Sequence, residues 1–238
     1  MGIIKIDNVS KNYKSKKALR NLSLTIESGE LFGLLGINGA GKTTLIKILC
    51  GLTKKSSGRV KIAGYDLDYE MSKIKEIVDV SPQETSVATN LTVKENLEFF
   101  ANIYGSSKEA VDEIVETFSL GEVLNERART LSGGYKRRLS IGVALISKPQ
   151  ILFLDEPTLG LDVFARRELW TIIKKLKGKI TIILTSHYLE EIENLCDRVA
   201  ILSKGELLDV GTINDIKEKT NSKTFENAFI KLVEAKNE

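Results

Sequence analysis

The stretch from residue 31 to 52 limits this chain more than any other. LFGLLG, 31–36, is a short apolar run ending in glycine, and LIKILCGL, from residue 45, is a helical run closed by Gly51. Between them lies Gly36-Ile37-Asn38-Gly39-Ala40-Gly41-Lys42-Thr43, which fits the phosphate-loop pattern G-x-x-x-x-G-K-[ST] in its strand-to-helix context. Glycines let successive backbone N–H groups wrap around phosphate oxygens, and the helix N-terminus adds partial positive charge. Gly36, Asn38, Gly39, Ala40, Gly41 and the following Thr44 are therefore expected at the phosphates. Lys42 should reach the β- and γ-phosphates, and the Thr43 hydroxyl should ligate Mg²⁺. The fold class that follows is α/β: a P-loop NTPase core with a mostly parallel sheet.

Such a core needs an acid, and ILFLDEP, 151–157, supplies one. An apolar strand ending in Asp155 places that carboxylate at the C-terminal edge of the sheet, where open α/β folds bind ligands. Asp155 is expected to hold Mg²⁺ directly or through water, and Glu156 to polarise the attacking water. His187, the only histidine, ends TIILTS in the same way. A lone histidine is commonly structural, but this one closes a strand on the edge facing the phosphates. LSGGYKRRLS, 131–140, raises a different question. Gly133 and Gly134 each cost about 1 kcal/mol relative to alanine at the start of a helix. Glycine is tolerated where something must approach the backbone, and a serine before a helix N-terminus favours an anion. The chain thus carries two phosphate-reading helix starts.

The remaining segments group around these motifs. IIKIDN, 3–8, and LSLTI, 22–26, alternate as strands about the turn-like KSKK, and RVKIAGYDL, 59–67, reads as another strand pair. They suggest an N-terminal antiparallel β subdomain. In LTVKENLEFFANIYG, Leu91, Asn96, Leu97, Phe100, Ile103 and Tyr104 recur near helical spacing, with Thr92 and Glu95 as a capping box. KEAVDEIVETFSL, 108–120, repeats the helical pattern, so residues 84–148 form a helical insert. ILFLDEP, TIILTSH and RVAILSKGELLDV are then strands separated by helices, the alternation of a parallel sheet. The organisation is one domain over 1–238: a core with its β subdomain from 1–83 and 149–212, the helical subdomain 84–148, and a polar helical tail 213–238.

Composition removes several classes of function. Of 238 residues, 42% are hydrophobic and 28% charged, as in ordinary globular proteins. The 35 basic and 32 acidic side chains leave a net charge of +3, so no nucleic-acid partner is expected. The clusters Lys136-Arg137-Arg138 and Lys174-Lys175 read as solvated helix faces. Two unpaired cysteines and one histidine argue against a thiol metal site and for a reducing compartment. No apolar run approaches the roughly 20 residues of a membrane span, and no signal peptide opens the chain. A cytoplasmic location is expected, with any membrane action passing through a partner.

In order, GINGAGKTT, Pro82-Gln83, LSGG at 131–134, ILFLDEP, Leu161-Asp162 and Ser186-His187 resemble the nucleotide-binding subunit of ATP-binding cassette (ABC) transporters over nearly the whole chain. LSGG discriminates, because many unrelated ATPases share the phosphate loop and the acidic strand end. The resemblance implies ATP and Mg²⁺ as cofactors, and two cassettes associating head to tail with ATP between them. Ser132, Gly133 and Gly134 then read the partner's γ-phosphate, which accounts for two phosphate readers in one chain. It further implies that Tyr13 stacks on adenine, that Gln83 senses Mg²⁺ and the attacking water, and that His187 contacts the γ-phosphate or organises the water. Asp162 would tie one active site to the other. The implied partners are a second ABC ATPase subunit, identical or paralogous, and an integral membrane permease that holds the chain at the inner face of the membrane. The segment 91–105 looks like cassettes serving export-type permeases. Tyr135 departs from the family, which usually has glutamine there.

A non-transport cassette, a soluble ATP-driven switch in assembly, translation or repair, is the competing expectation. Translation-type members carry two cassettes and repair members a long coiled-coil insert, and this sequence has neither. A phosphotransferase with a phosphate loop is disfavoured by LSGG and by Glu156 beside Asp155.

Overall fold

The computed structural model describes residues 2–14 and 16–236. Strands β1 (Gly2–Tyr13), β2 (Lys16–Glu27), β4 (Ser57–Ile62) and β5 (Tyr65–Asp66) form an antiparallel sheet in the order β2-β1-β4-β5. The first two are longer than the apolar alternation at 3–8 and 22–26 marks. Of the KSKK turn, Ser15 lies outside the described residues.

The second sheet has six strands: β3 (Leu31–Leu35), β6 (Val78–Ser81), β7 (Ile151–Asp155), β8 (Thr181–Ser186), β9 (Arg198–Ser203) and β10 (Glu206–Gly211). Their order is β10-β9-β3-β8-β7-β6, parallel except for the β9–β10 pair. RVAILSKGELLDV is therefore not one more parallel strand. Lys204 and Gly205, at φ 48° and 82°, make a two-residue turn that folds it into a hairpin.

Strands β3, β7 and β8 are buried along their whole length, so both faces are apolar and successive side chains enter different cores. Leu31, Leu35, Leu152, Leu154, Ile182 and Leu184 face one core, which they share with helices α3 (Val93–Tyr104), α5 (Gly133–Leu145), α6 (Val163–Leu176) and α7 (Leu189–Leu195). Phe32, Leu34, Ile151, Phe153 and Ile183 face the other, shared with α1 (Lys42–Leu49) and the antiparallel sheet.

Helix α3 starts at the capping box its sequence announces. Thr92 N–H donates to Glu95 Oε2 at 2.7 Å, and Glu95 N–H donates to Thr92 Oγ1 at 3.1 Å. Its apolar stripe is a different matter. Val93, Asn96, Leu97 and Ala101 are buried, whereas Phe99, Ile103 and Tyr104 are 50%, 59% and 49% exposed. Helix α4 (Lys108–Thr117) completes the segment. The tail also departs from its polar composition. Helices α8 (Ile213–Lys219) and α9 (Phe225–Ala235) insert Ile216, Phe225 and Ala228 into the helix-side core. Two elements have no clear sequence signal, the short helix α2 (Met71–Lys75) and edge strand β6, whose Asp79 interrupts the apolar pattern.

Candidate functional site: a phosphate cleft at the strand ends

Parallel register brings the motifs together. Leu35 of β3 pairs with Ser186 of β8, Asp155 of β7 with Thr185 of β8, and Ser81 of β6 with Leu154 of β7. Each strand thus ends at the same edge, and Gly36, His187, Asp155-Glu156 and Gln83 follow one another across it. There Gln83, Glu156 and His187 border a cleft of about 570 Å³, while Gly36 and Asp155 lie behind its lining.

The phosphate loop forms one wall. Gly41 N-caps α1 at φ 108°, and a Cβ there would stand 2.8 Å from the Ala18 carbonyl oxygen. A Cβ on Gly36 would fall 2.4 Å from the Leu202 carbonyl oxygen. The first glycine is demanded by backbone conformation and space, the second by space alone. Lys42 is 6% exposed and its ammonium donates to the Gly36 carbonyl at 2.6 Å. Burial lowers its pKa, and the nearby Glu156 and Asp155 carboxylates oppose the shift.

Opposite the loop, the Glu156 carboxylate bridges two side chains. Its Oε2 lies 2.9 Å from His187 Nδ1, and its Oε1 lies 3.9 Å from Lys42 Nζ. The Glu156 backbone is left-handed, φ 47°. Thr185 helps hold it there: its hydroxyl accepts from Glu156 N–H at 2.9 Å and donates to Asp155 Oδ1 at 2.6 Å. Sequence reading passed over this threonine, which nothing distinguishes from its neighbours in TIILTS.

Tyr13, Asn38, Gly39, Ala40, Gly41, Lys42, Thr43, Thr44, Gln83, Glu156 and His187 all line the cleft, joined by Lys16, Ala18 and Leu159. Asp155 is buried at 6% exposure beneath them. Ser132, Gly133, Gly134 and Asp162 do not line it. Ser132 N-caps α5, its Oγ accepting from Tyr135 N–H at 3.4 Å, and Asp162 N-caps α6 through bonds from Phe164 and Ala165 N–H at 2.8 and 3.0 Å.

The two signature glycines differ. A Cβ on Gly134 would press to 3.1 Å from the Ala165 Cβ, whereas one on the exposed Gly133 would meet only Leu161, at an ordinary 3.6 Å. Packing within the chain accounts for Gly134 but not for Gly133. Tyr135 turns toward α6: its ring lies 5.1 Å from the Arg138 guanidinium, which pairs with Glu168.

The basic cluster after the signature is not a solvated face. Arg137 and Arg138 are only 4% and 8% exposed, because α5 runs between the sheet and α6 and its arginines find acceptors there. Lys174 and Lys175 are exposed, as their pattern implies. Both cysteines are free, and burial pushes the Cys50 thiol up to about 12.

Residues 19–159 match the family model described as ABC transporter. The chain belongs to the ABC transporter family. It is an ATP-binding ATPase of that family, and its mixed sheets are those of the family's P-loop fold. It is 38% identical to the linearmycin resistance ATP-binding protein LnrL of Bacillus subtilis, over 93% of this chain and 73% of LnrL. Human ABCA3, a phospholipid-transporting ATPase, is 41% identical over 91% of this chain, which spans only 13% of that protein. A solved post-hydrolysis dimer of the ATP-binding cassette MJ0796, bound to ADP and phosphate, superposes with a TM-score of 0.79 at 27% identity, covering 88% of this ABC chain and 98% of that one.

Magnesium chemistry fits the donor set. Among the described residues no three His, Cys, Asp or Glu side chains gather into a cage for a metal. With Glu156 engaged by His187 and Lys42, oxygen donors in and just beneath the cleft include the Thr43 hydroxyl, the Gln83 amide and the Asp155 carboxylate. Mg²⁺ suits such a site, since it takes one or two carboxylates and completes its shell with substrate phosphates and water.

Proposed function

We propose that this chain is the ATP-hydrolysing subunit of an ABC transporter, closing with MgATP against a second ABC ATPase subunit and driving a separate integral membrane permease. The second subunit is a copy of this chain or a paralogue. The observation that carries this reading is Gly133, left bare on the surface outside the chain's own cleft. A helix start of serine and glycine accepts an anion, so the phosphate it reads belongs to another chain's nucleotide. Leu159, Val163 and Phe164, at 39%, 51% and 81% exposure, supply apolar surface in the segment that also contains Leu161, the neighbour of Gly133. The MJ0796 cassette is a nucleotide-bound dimer, which supports a two-subunit assembly.

Within the cleft each residue has a chemical task. Backbone N–H groups from 38–43 and the Lys42 ammonium hold the phosphates, and Tyr13 at the rim stacks on adenine. Thr43, Asp155 and Gln83 would hold Mg²⁺, which would supply positive charge to offset that of the phosphates. The Glu156 carboxylate orients the attacking water and accepts its proton. His187 is set by its contact with Glu156 Oε2 to meet the terminal phosphate. Asp162 keeps the second site in step through the cap of α6.

The helical subdomain 84–148 meets the permease, and the core with its β subdomain, 1–83 and 149–212, carries the nucleotide. The exposed Phe99, Ile103 and Tyr104 of α3 suit that docking. Among the described residues no helix is long and apolar enough to cross a membrane. In this reading the permease holds the chain at the cytoplasmic face. The resistance function in LnrL's name supports export as the direction. A photo-crosslinker on a cysteine placed at the exposed Asn90 should capture an integral membrane protein in native membranes. Recovery of soluble partners alone would point instead to a non-transport cassette.

A further inference from the structure

Arg137 lies on α5, one turn beyond the signature glycines, with its guanidinium deep between the Gln83 loop and the end of β7. All three nitrogens donate to backbone carbonyl oxygens. Nε reaches Pro157 at 2.8 Å, Nη2 reaches Asp155 at 2.9 Å, and Nη1 reaches Pro82 and, at 3.4 Å, Gln83. Two of these carbonyls bracket Glu156, the residue with the left-handed backbone. The other two belong to the loop that brings Gln83 to the cleft.

We propose that Arg137 is a positioning residue: it sets the Glu156 carboxylate and the Gln83 loop against each other and ties both to the signature helix of the same chain. The argument is one of geometry and chemistry. A guanidinium presents five N–H donors in a rigid plane, so it can satisfy carbonyls on two separate loops at once. An ammonium concentrates its donors on one nitrogen and cannot span them. Burial lowers the Arg137 pKa to about 10, with Asp155 and Glu191 opposing, which leaves the cation intact at neutral pH. A movement of α5 is thereby carried to the backbone on both sides of Glu156. The signature's engagement with a partner nucleotide rests on the two-chain reading above; the positioning of Glu156 does not.

The test is Arg137→Lys, which keeps charge and one donor nitrogen. Misplacing reacting groups by about 1 Å can cost on the order of 10²-fold in rate. The lysine variant should lose about fivefold or more in kcat, with ATP Kd within about threefold of wild type. Combined with Glu156→Gln it should still dimerise on ATP, because Ser132 and Gly133 are untouched. If the lysine variant melts too low to assay, Arg137→Gln is read against the same thresholds, its amide still donating to one loop. A kcat within fivefold of wild type overturns the proposal. So does an ATP affinity that falls as far as kcat, or loss of ATP-driven dimerisation in the double variant alone, since either marks Arg137 as shaping the fold generally. If Glu156→Gln by itself fails to dimerise, the two-chain reading falls, while kcat against Kd still decides the positioning of Glu156.

Discussion

Glu156 holds a backbone conformation that costs a non-glycine residue about 1–3 kcal/mol, and it does so at the end of a fully buried strand. The cost is offset by bonds to its neighbours: Thr185 takes its N–H, and Arg137 holds the carbonyls before and after it. What the conformation achieves is placement of one carboxylate between His187 and Lys42. Glu156→Gln keeps the side-chain size and a hydrogen-bonding oxygen for His187 but cannot take a proton from water. Turnover should fall by about 10²–10⁴ while ATP binding persists, measured by phosphate release and nucleotide titration. Near wild-type turnover would remove Glu156 from that role. The two cationic or neutral neighbours should divide differently. His187→Ala should depress hydrolysis at nearly unchanged ATP affinity, and Lys42→Ala should weaken binding itself. Equal loss of affinity in both would refute the division.

At the scale of elements, the signature helix is built from three unlike faces. Its exposed start presents Ser132 and Gly133, Gly134 packs on α6, and Arg137 is turned inward to backbone carbonyls at the end of β7 and in the Gln83 loop. Ser132→Arg and Gly133→Asp both add bulk or charge at exposed positions. Each should abolish ATP-driven dimerisation of a Glu156→Gln chain and leave monomer affinity intact, read by light scattering and titration. Loss of monomer affinity would mean that the signature serves its own nucleotide. Gly134→Asp is the poorer probe, since its Cβ already crowds Ala165 at 3.1 Å. The Tyr135 ring packs by Arg138, and the anion-reading groups are Ser132 and Gly133, so Tyr135→Gln should change turnover by less than about tenfold, roughly 1.4 kcal/mol of barrier.

Across the whole molecule, one sheet divides two cores, and the C-terminal helices close one of them. Phe225 is 1% exposed in the helix-side core and does not line the cleft. Phe225→Ala should destabilise the fold by about 3–5 kcal/mol, seen as a lower denaturant midpoint, with ATP affinity unchanged. A loss below about 1 kcal/mol would show that the tail is only loosely docked.

Local chemistry was legible in the sequence. A phosphate loop, a capping box and an apolar strand ending in acids are each specified by neighbouring residues, because backbone conformation, cap bonds and side-chain alternation act over a few positions. The phosphate-loop wall and Glu156 followed from those motifs, since parallel strands in register end at one edge, whereas Tyr13 and Gln83 came only from the family resemblance and Lys16, Ala18 and Leu159 from the structure. What depended on distant partners was not legible. Arg137 looked like one more surface charge because its acceptors sit about twenty and fifty residues away. Phe225 looked like part of a polar tail because the core it enters is made by other helices. Ile103 and Tyr104 kept a helical apolar spacing yet stayed exposed, since periodicity assigns a face but not a neighbour to cover it. Burial is a property of the assembled chain, and only the tertiary structure decided which charges it would enclose and which apolar side chains it would leave outside.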